Sequence, residues 1–420
     1  MVQFSPAQDS DGIAQNLRGM WAARRIRATG AGIDLGLLLG VLALLCVGLP
    51  AIFSASHISA GTDKVVKQAI FAGAGLIGLG VFACVDYRVL ARFRQVLYTL
   101  TLVLLVITLL FAPEINGARS WFKFGPVSLQ PAEFAKLLLI LSFGALLIRF
   151  GAQVQRWSPF LRGLLFFALP ILLVLAQPDI GTAMVLCAIW LVMVWLAGAR
   201  WWMLLAVIGG LVLLVLLAWN VPIVPVTQTV MLADGRSVRE RVFIPLIKPY
   251  QKRRLDFIHA DPAGAGYHQA QARIAIGAGM LWGKGYLHGT QARRGFLPEQ
   301  DTDFIFAVIA EEFGLLGALA VLGLYLFVLF RLLRIAEEAE GALGRLLVGG
   351  VAAMLAVHML INIGMNLTLS PVTGVPLPFV SYGGSNLLMS LLSIGLVLNV
   401  SRHRQPRRAW AGEEEALIRV

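Results

Sequence analysis

Apolar runs of about 20 residues recur along nearly the whole chain, broken by short polar stretches. A run of that length crosses the hydrocarbon of a bilayer as an α-helix. The pattern predicts spans near 32–54, 67–86, 94–112, 132–150, 160–177, 179–198, 201–222, 304–330, 346–367 and 384–401. Ten is an even number, which puts both termini on one side of the membrane. Spans five and six meet at Gln177-Pro178-Asp179, where Pro ends one helix and Asp can cap the next. Asp34 is expected to cap the first span in the same way. Residues 1–31 are polar, with Arg18, Arg24, Arg25 and Arg27. The apolar run after them is too long for a signal-peptide core and no small-residue cleavage site follows, so a retained first span is expected behind an N-terminal tail. Residues 403–420 read as a second tail.

Composition agrees with this reading. The chain of 420 residues is 58% hydrophobic and 14% charged, which excludes a disordered chain, a coiled coil and a disulfide scaffold. The expected class is an all-α integral membrane protein, with about ten transmembrane helices and a large extracytoplasmic loop between helices seven and eight. The net charge of +12 points to anionic headgroups rather than nucleic acid, because no soluble basic module carries it. Arg88, Arg92, Arg94, Arg149, Arg156, Arg162, Arg200, Arg331, Arg334 and Arg345 fall in the loops on the side of the two basic tails. The short loops opposite hold only Lys64, Lys67, Arg119 and Lys123. The basic side is cytoplasmic by the positive-inside rule. Cys46, Cys84 and Cys187 lie inside apolar runs without metal-ligand spacing and read as small apolar residues.

Segment 223–303 breaks the pattern. Asp234-Gly235 between Val-rich stretches predicts a hairpin, followed by the basic cluster Lys252-Arg253-Arg254. Residues 267–280 predict a helix too short and polar to span, lying at or dipping into the interface. Loops of this length usually have a function.

Ionisable groups at membrane depth are costly and mark function by default. Asp34, Glu133, Lys136, Asp179, Asp303, Glu311 and Glu312 qualify. Glu133 and Lys136, three apart on a helix, can pair. Their pair reads either as a structural ion pair or as a polar patch facing a cavity. Asp303 stands at the outer edge of span eight, beside Phe304-Ile305-Phe306, where a carboxylate suits a general base or a helix-start group. Gly283-Lys284-Gly285-Tyr286 lacks the Ser or Thr of a Walker loop. It reads as a glycine-rich turn or as a backbone nest for a pyrophosphate. Two prolines and two glycines within Pro376–Ser385 bar a regular helix, and irregular backbone at membrane depth suits a cavity wall.

Gly117-Ala-Arg119-Ser-Trp121, Gln130-Pro-Ala-Glu133-Phe-Ala-Lys136, Gln177-Pro-Asp-Ile-Gly-Thr182, the 283–312 stretch and Pro376–Ser385 together resemble the SEDS family (shape, elongation, division and sporulation) of integral-membrane peptidoglycan glycosyltransferases. The resemblance covers about residues 34–402. Gly283-Lys-Gly-Tyr-Leu-His-Gly-Thr-Gln291 and Gly374-Val-Pro-Leu-Pro378 are more similar to its elongation members than to its division members. Gln300-Asp301 departs from the residues many relatives carry there, and 223–245 is longer than in some. The resemblance implies a polytopic membrane domain at 32–402 that polymerises lipid II at the outer face. Asp303 matches the family's essential aspartate and would take the proton of the acceptor hydroxyl. Undecaprenyl pyrophosphate would leave. Arg119, Glu133, Lys136, Lys284, Glu299 and Ser381 are the expected substrate-binding residues. A divalent cation (Mg or Mn) could be held by Glu133 or Glu299, and no organic cofactor is implied. The implied partners are lipid II, a class B penicillin-binding protein and other membrane proteins of the elongation complex. Two rivals from other classes remain, a lipid II flippase or transporter and a non-catalytic cell-wall scaffold. A transporter wants its ionisable groups near the midplane, whereas Asp303 is expected at the edge.

Overall fold

The structure, a computed structural model, describes residues 32–114, 119–125, 127–220, 224–231, 237–244 and 266–403. Most of both tails, the Asp234-Gly235 turn and the Lys252-Arg253-Arg254 cluster lie outside the described residues.

Each predicted span holds a helix. In order these are α1 (Leu35–Ala60), α2 (Asp63–Cys84), the short α3 (Tyr87–Arg92), α4 (Arg94–Phe111), α5 (Pro131–Phe150), α6 (Trp157–Ala176), α7 (Ile180–Leu196) and α8 (Trp201–Asn220). After the long loop come α9 (Tyr267–Gly279), α10 (Thr290–Arg293), α11 (Ile305–Glu338), α12 (Gly341–Asn366) and α13 (Gly384–Arg402). Among the described residues, eight helices are long and apolar enough to cross a membrane. The sixth and seventh expected spans fall short of that mark, at Ile180–Leu196 and at the apolar part of α8, Trp201–Leu213. Asp34 and Asp179 cap α1 and α7, each accepting a backbone N–H at 2.9 Å, from Leu37 and Thr182.

Two antiparallel hairpins interrupt the helices. β1 (Phe122–Phe124) pairs with β2 (Val127–Leu129) ahead of α5. β3 (Val224–Met231) pairs with β4 (Ser237–Ile244), with Met231 opposite Ser237, so the strands flank the expected turn.

Helices α12 and α13 are the most enclosed. α13 is interior although it carries Asn386, Ser390, Ser393, Asn399 and Ser401, all buried. Buried polar groups in such a bundle need a protein partner or a cavity, because lipid offers them no hydrogen bonds. Asn399 donates to the Ala83 and Val85 carbonyls at 3.0 and 2.9 Å and accepts from the Tyr87 N–H, which satisfies the end of α2. Gly395 lets the two helices touch, since a Cβ there would lie 2.5 Å from the Leu79 carbonyl oxygen.

α11 is not one straight helix. Its 34 residues include a break at Gly314 (φ 67°, ψ −163°). The break frees backbone groups, and the segment after α9 takes them up. Lys284 and Gly285 donate to the Glu311 and Glu312 carbonyls at 3.0 and 2.9 Å, and Leu315 donates to the Met280 carbonyl at 2.8 Å. Residues 280–285 thus form a strap across the break. The predicted single span missed this because one Gly in an apolar run reads only as a small helix penalty. Gly283 must be Gly on two counts. Its φ is 81°, and a Cβ would sit 2.1 Å from the Glu312 carbonyl oxygen. Gly283→Ala is expected to destabilise the protein by about 2–4 kcal/mol. The thermal midpoint in detergent measures this, and an unchanged midpoint would contradict the strap.

Candidate active site

A cavity of about 350 Å³ opens where several helix ends meet. Gln130 and Glu133 come from the start of α5, Asp179 and Thr182 from the start of α7, and Asn386 from the start of α13. His358 of α12, the turn before α11 with Glu299, Thr302 and Asp303, and the irregular segment 373–376 complete the wall. Tyr382 also lines the cavity, and burial raises its phenol above the ordinary value.

The turn that carries Asp303 is pinned at the backbone carbonyls of residues 301–303. The Tyr382 N–H donates to Asp301 O at 2.8 Å, the Ser381 hydroxyl to Thr302 O, and the Asn362 and Asn366 amides to Asp303 O. Glu299 adopts φ 48°, which turns its carbonyl onto the Asp303 N–H at 3.0 Å. Gly374 lies beside Asp303: a Cβ on it would be 3.6 Å from the Asp303 Oδ2. The carboxylate is partly exposed. Asp301 itself is buried and pairs with Lys64 at 2.6 Å, tying the turn to α2.

Glu133 and Lys136 form a buried ion pair of 2.8 Å. Lys136 also lies 2.9 Å from His358 Nε2. The other ring nitrogen, Nδ1, lies 2.7 Å from the Met354 carbonyl and donates to it, so Nε2 accepts from the ammonium and His358 is the neutral tautomer. Asn386 donates to the Glu133 carboxylate at 3.0 Å. Asp179 accepts from Gln130 Nε2 and the Thr182 hydroxyl, both at 2.8 Å. The lining therefore holds four carboxylates, Glu133, Asp179, Glu299 and Asp303, and among the described residues no Lys or Arg. Lys136 reaches the cavity only through Glu133 and His358.

This arrangement can be compared with known proteins. The family model described as "Cell cycle protein" (FtsW/RodA/SpoVE) matches residues 35–406. The chain belongs to this family. The chain is 37% identical over 377 residues to the peptidoglycan glycosyltransferase MrdB of Escherichia coli (strain K12), covering 89% of this chain and 94% of that one. It is 32% identical over 431 residues to the peptidoglycan glycosyltransferase RodA of Treponema pallidum (strain Nichols), covering 90% and 99%. A chain solved in a study of structural coordination of polymerisation and crosslinking by a peptidoglycan synthase complex superposes with a TM-score of 0.72 at 31% identity, covering 88% of this chain and 98% of that one. The expected SEDS membership is thus established.

Within this FtsW/RodA/SpoVE member, the residues expected from sequence separate into three groups. Asp303, Glu133 and Glu299 line the cavity, with Lys136 one bond behind. Ser381 does not line it but holds the wall, bonding Thr302 O and the Leu377 N–H. Arg119 and Lys284 lie off the cavity. Arg119 is exposed and sits 3.5 Å from Glu114. Lys284 is bonded to buried Glu311 at 2.8 Å, and that carboxylate also accepts from the Thr290 and Gln291 N–H groups. The nest expected at Gly283–Gly285 is occupied by α11 carbonyls, which makes it the structural turn of the two readings. His358, Asn362, Asn366 and Asn386 were not singled out from the sequence, and Gln130 stood there only as the first residue of a motif. A signal existed for three of them. His358, Asn362 and Asn366 are spaced by four within an apolar run, which places them on one helix face.

Proposed function

We propose that the chain is a peptidoglycan glycosyltransferase of the elongation type that polymerises lipid II, with Asp303 as general base. The observation that carries this reading is Asp303's place: a carboxylate on a turn held at three successive carbonyls, at a helix end, lining a polar cavity. In the reaction Asp303 takes the proton of the acceptor sugar hydroxyl as its oxygen bonds to the donor anomeric carbon. The bond from that carbon to the diphosphate breaks, and undecaprenyl pyrophosphate carries off the electron pair. Lys136 supplies positive charge behind the wall as the leaving group develops its negative charge. Ten spans with cytoplasmic termini would put the cavity at the outer face, where a class B penicillin-binding protein could crosslink the product.

A lining this acidic repels a free diphosphate, so a divalent cation fits the chemistry. Among the described residues no cluster of three or more His, Cys, Asp or Glu could hold a metal ion. Mg-type ions bind through one or two carboxylates plus substrate phosphates. Of the two expected carboxylates, Glu133 is engaged by Lys136 and Asn386, whereas Glu299 accepts a long 3.4 Å bond from the Thr302 hydroxyl, which favours Glu299 as the one to share such an ion.

The test is purified protein with lipid II in detergent and in vesicles, with product read on a gel. Glycan polymer supports the reading. Transbilayer movement of labelled lipid II without polymer would replace it with the flippase.

A further inference from the structure

A polar side chain fully buried in a membrane helix is costly unless it is bonded, so its partner shows what it is there for. Several buried hydroxyls bond locally, to carbonyls of their own helix. Ser142 donates to the Leu139 carbonyl and Ser393 to the Met389 carbonyl. Asn362 and Asn366 of α12 behave differently. Both are 0% exposed, and both reach out of their helix to the turn before α11.

The Asn362 amide donates to two carbonyls at once, those of Asp303 and Val375, both at 2.9 Å. Both residues line the cavity, so one side chain ties the Asp303 turn to the neighbouring 373–376 segment. Asn366 donates to Asp303 O at 3.1 Å and to Asn362 O at 2.8 Å. Its own oxygen accepts the Ala307 N–H at 3.1 Å, in the first turn of α11. That N–H also donates to the Phe304 carbonyl at 3.0 Å, so Asn366 shares a donor of the helix start. The two amides therefore hold the Asp303 carbonyl and the start of the helix that follows it. The Asp303 N–H is held separately, by Glu299 O.

We infer that Asn362 and Asn366 are positioning residues for Asp303, fixing the reach of its carboxylate into the cavity and its place beside the 373–376 segment. This rests on the reading of Asp303 as the base. Without the amides the turn still has its Tyr382 and Ser381 bonds, so it stays in place but loses the restraint nearest the carboxylate. A displacement of about 1 Å in a reacting group can cost ~10²-fold in rate.

The test is steady-state kinetics of the full chain on lipid II for wild type, Asn362→Ala, Asn366→Ala and Asp303→Asn, with the thermal midpoint of each. The expected result is a fall in kcat of about 10–100-fold for each Asn variant, with KM within about threefold and the folded fraction retained. A kcat within threefold of wild type overturns the inference. So does a loss of activity that follows the loss of folded protein, because that is a structural role only. Should the Ala variants not fold, Asn362→Leu keeps nearly the same shape while removing the amide donors without adding a charge, and is judged by the same criteria. The outcomes separate two failures. If Asp303→Asn stays active, the base assignment falls. If it is inactive while the Asn variants match wild type, only the positioning role falls.

Discussion

Asp303→Asn is expected to lower glycan polymerisation by about 10²–10⁴-fold with the fold intact, the range a positioned general base contributes. That loss corresponds to about 3–5 kcal/mol of transition-state stabilisation. The substitution keeps the size and shape of the side chain and removes its ability to accept a proton. The main-chain bonds at 301–303 and the Asp301–Lys64 ion pair remain to hold the turn in this variant. Lipid II binding should therefore survive, with KM changed far less than kcat. Glu299→Gln is the internal comparison, because Glu299 is a second carboxylate in the same wall. A small loss for Asp303→Asn together with a large one for Glu299→Gln would move the base to Glu299. Equal polymer from wild type and Asp303→Asn would remove Asp303 from the chemistry.

How legible the molecule is in its sequence depends on the range of the interaction. Hydropathy is a local signal, and the predicted spans meet the helices to within a few residues, except where α1, α11 and α12 run further. Caps are local too, which is why Asp34 and Asp179 could be read as caps before any contact was known. The break at Gly314 was not legible. Its stability comes from the 280–285 strap, brought in from another part of the chain, and nothing near Gly314 announces it. The same limit governs the site. Glu133 and Lys136 share a helix turn, so their pairing follows from spacing. The third member, His358, comes from α12, and Asn386 from α13. Lys284 shows the converse. Its Gly-rich surroundings suggested an anion site, but the anion it meets is Glu311 of the protein itself.

Lys136→Met is expected to give the second large effect, and it decides between the two readings of the Glu133–Lys136 pair. Their side chains are only 4% and 1% exposed. Losing the ammonium leaves the Glu133 carboxylate buried with Asn386 as its remaining donor, which should cost about 3–5 kcal/mol of stability. Activity would fall as well, but a destabilised single variant cannot say why. The double variant Glu133→Gln, Lys136→Met can. Replacing both charges by neutral groups of similar shape is often neutral for stability, so its thermal midpoint should return close to wild type. If the pair only neutralises two costly charges, this protein polymerises normally. The geometry argues against that outcome. Glu133 and His358, the two groups bonded to Lys136, both line the cavity, which otherwise holds no basic side chain among the described residues. A diphosphate leaving from such a wall needs positive charge close by, and removing one such stabilising group costs about 10²–10³-fold elsewhere. The double variant should therefore be stable and about 100-fold or more slower. Recovery of both stability and rate would assign the pair to structure alone and leave a divalent cation as the source of positive charge.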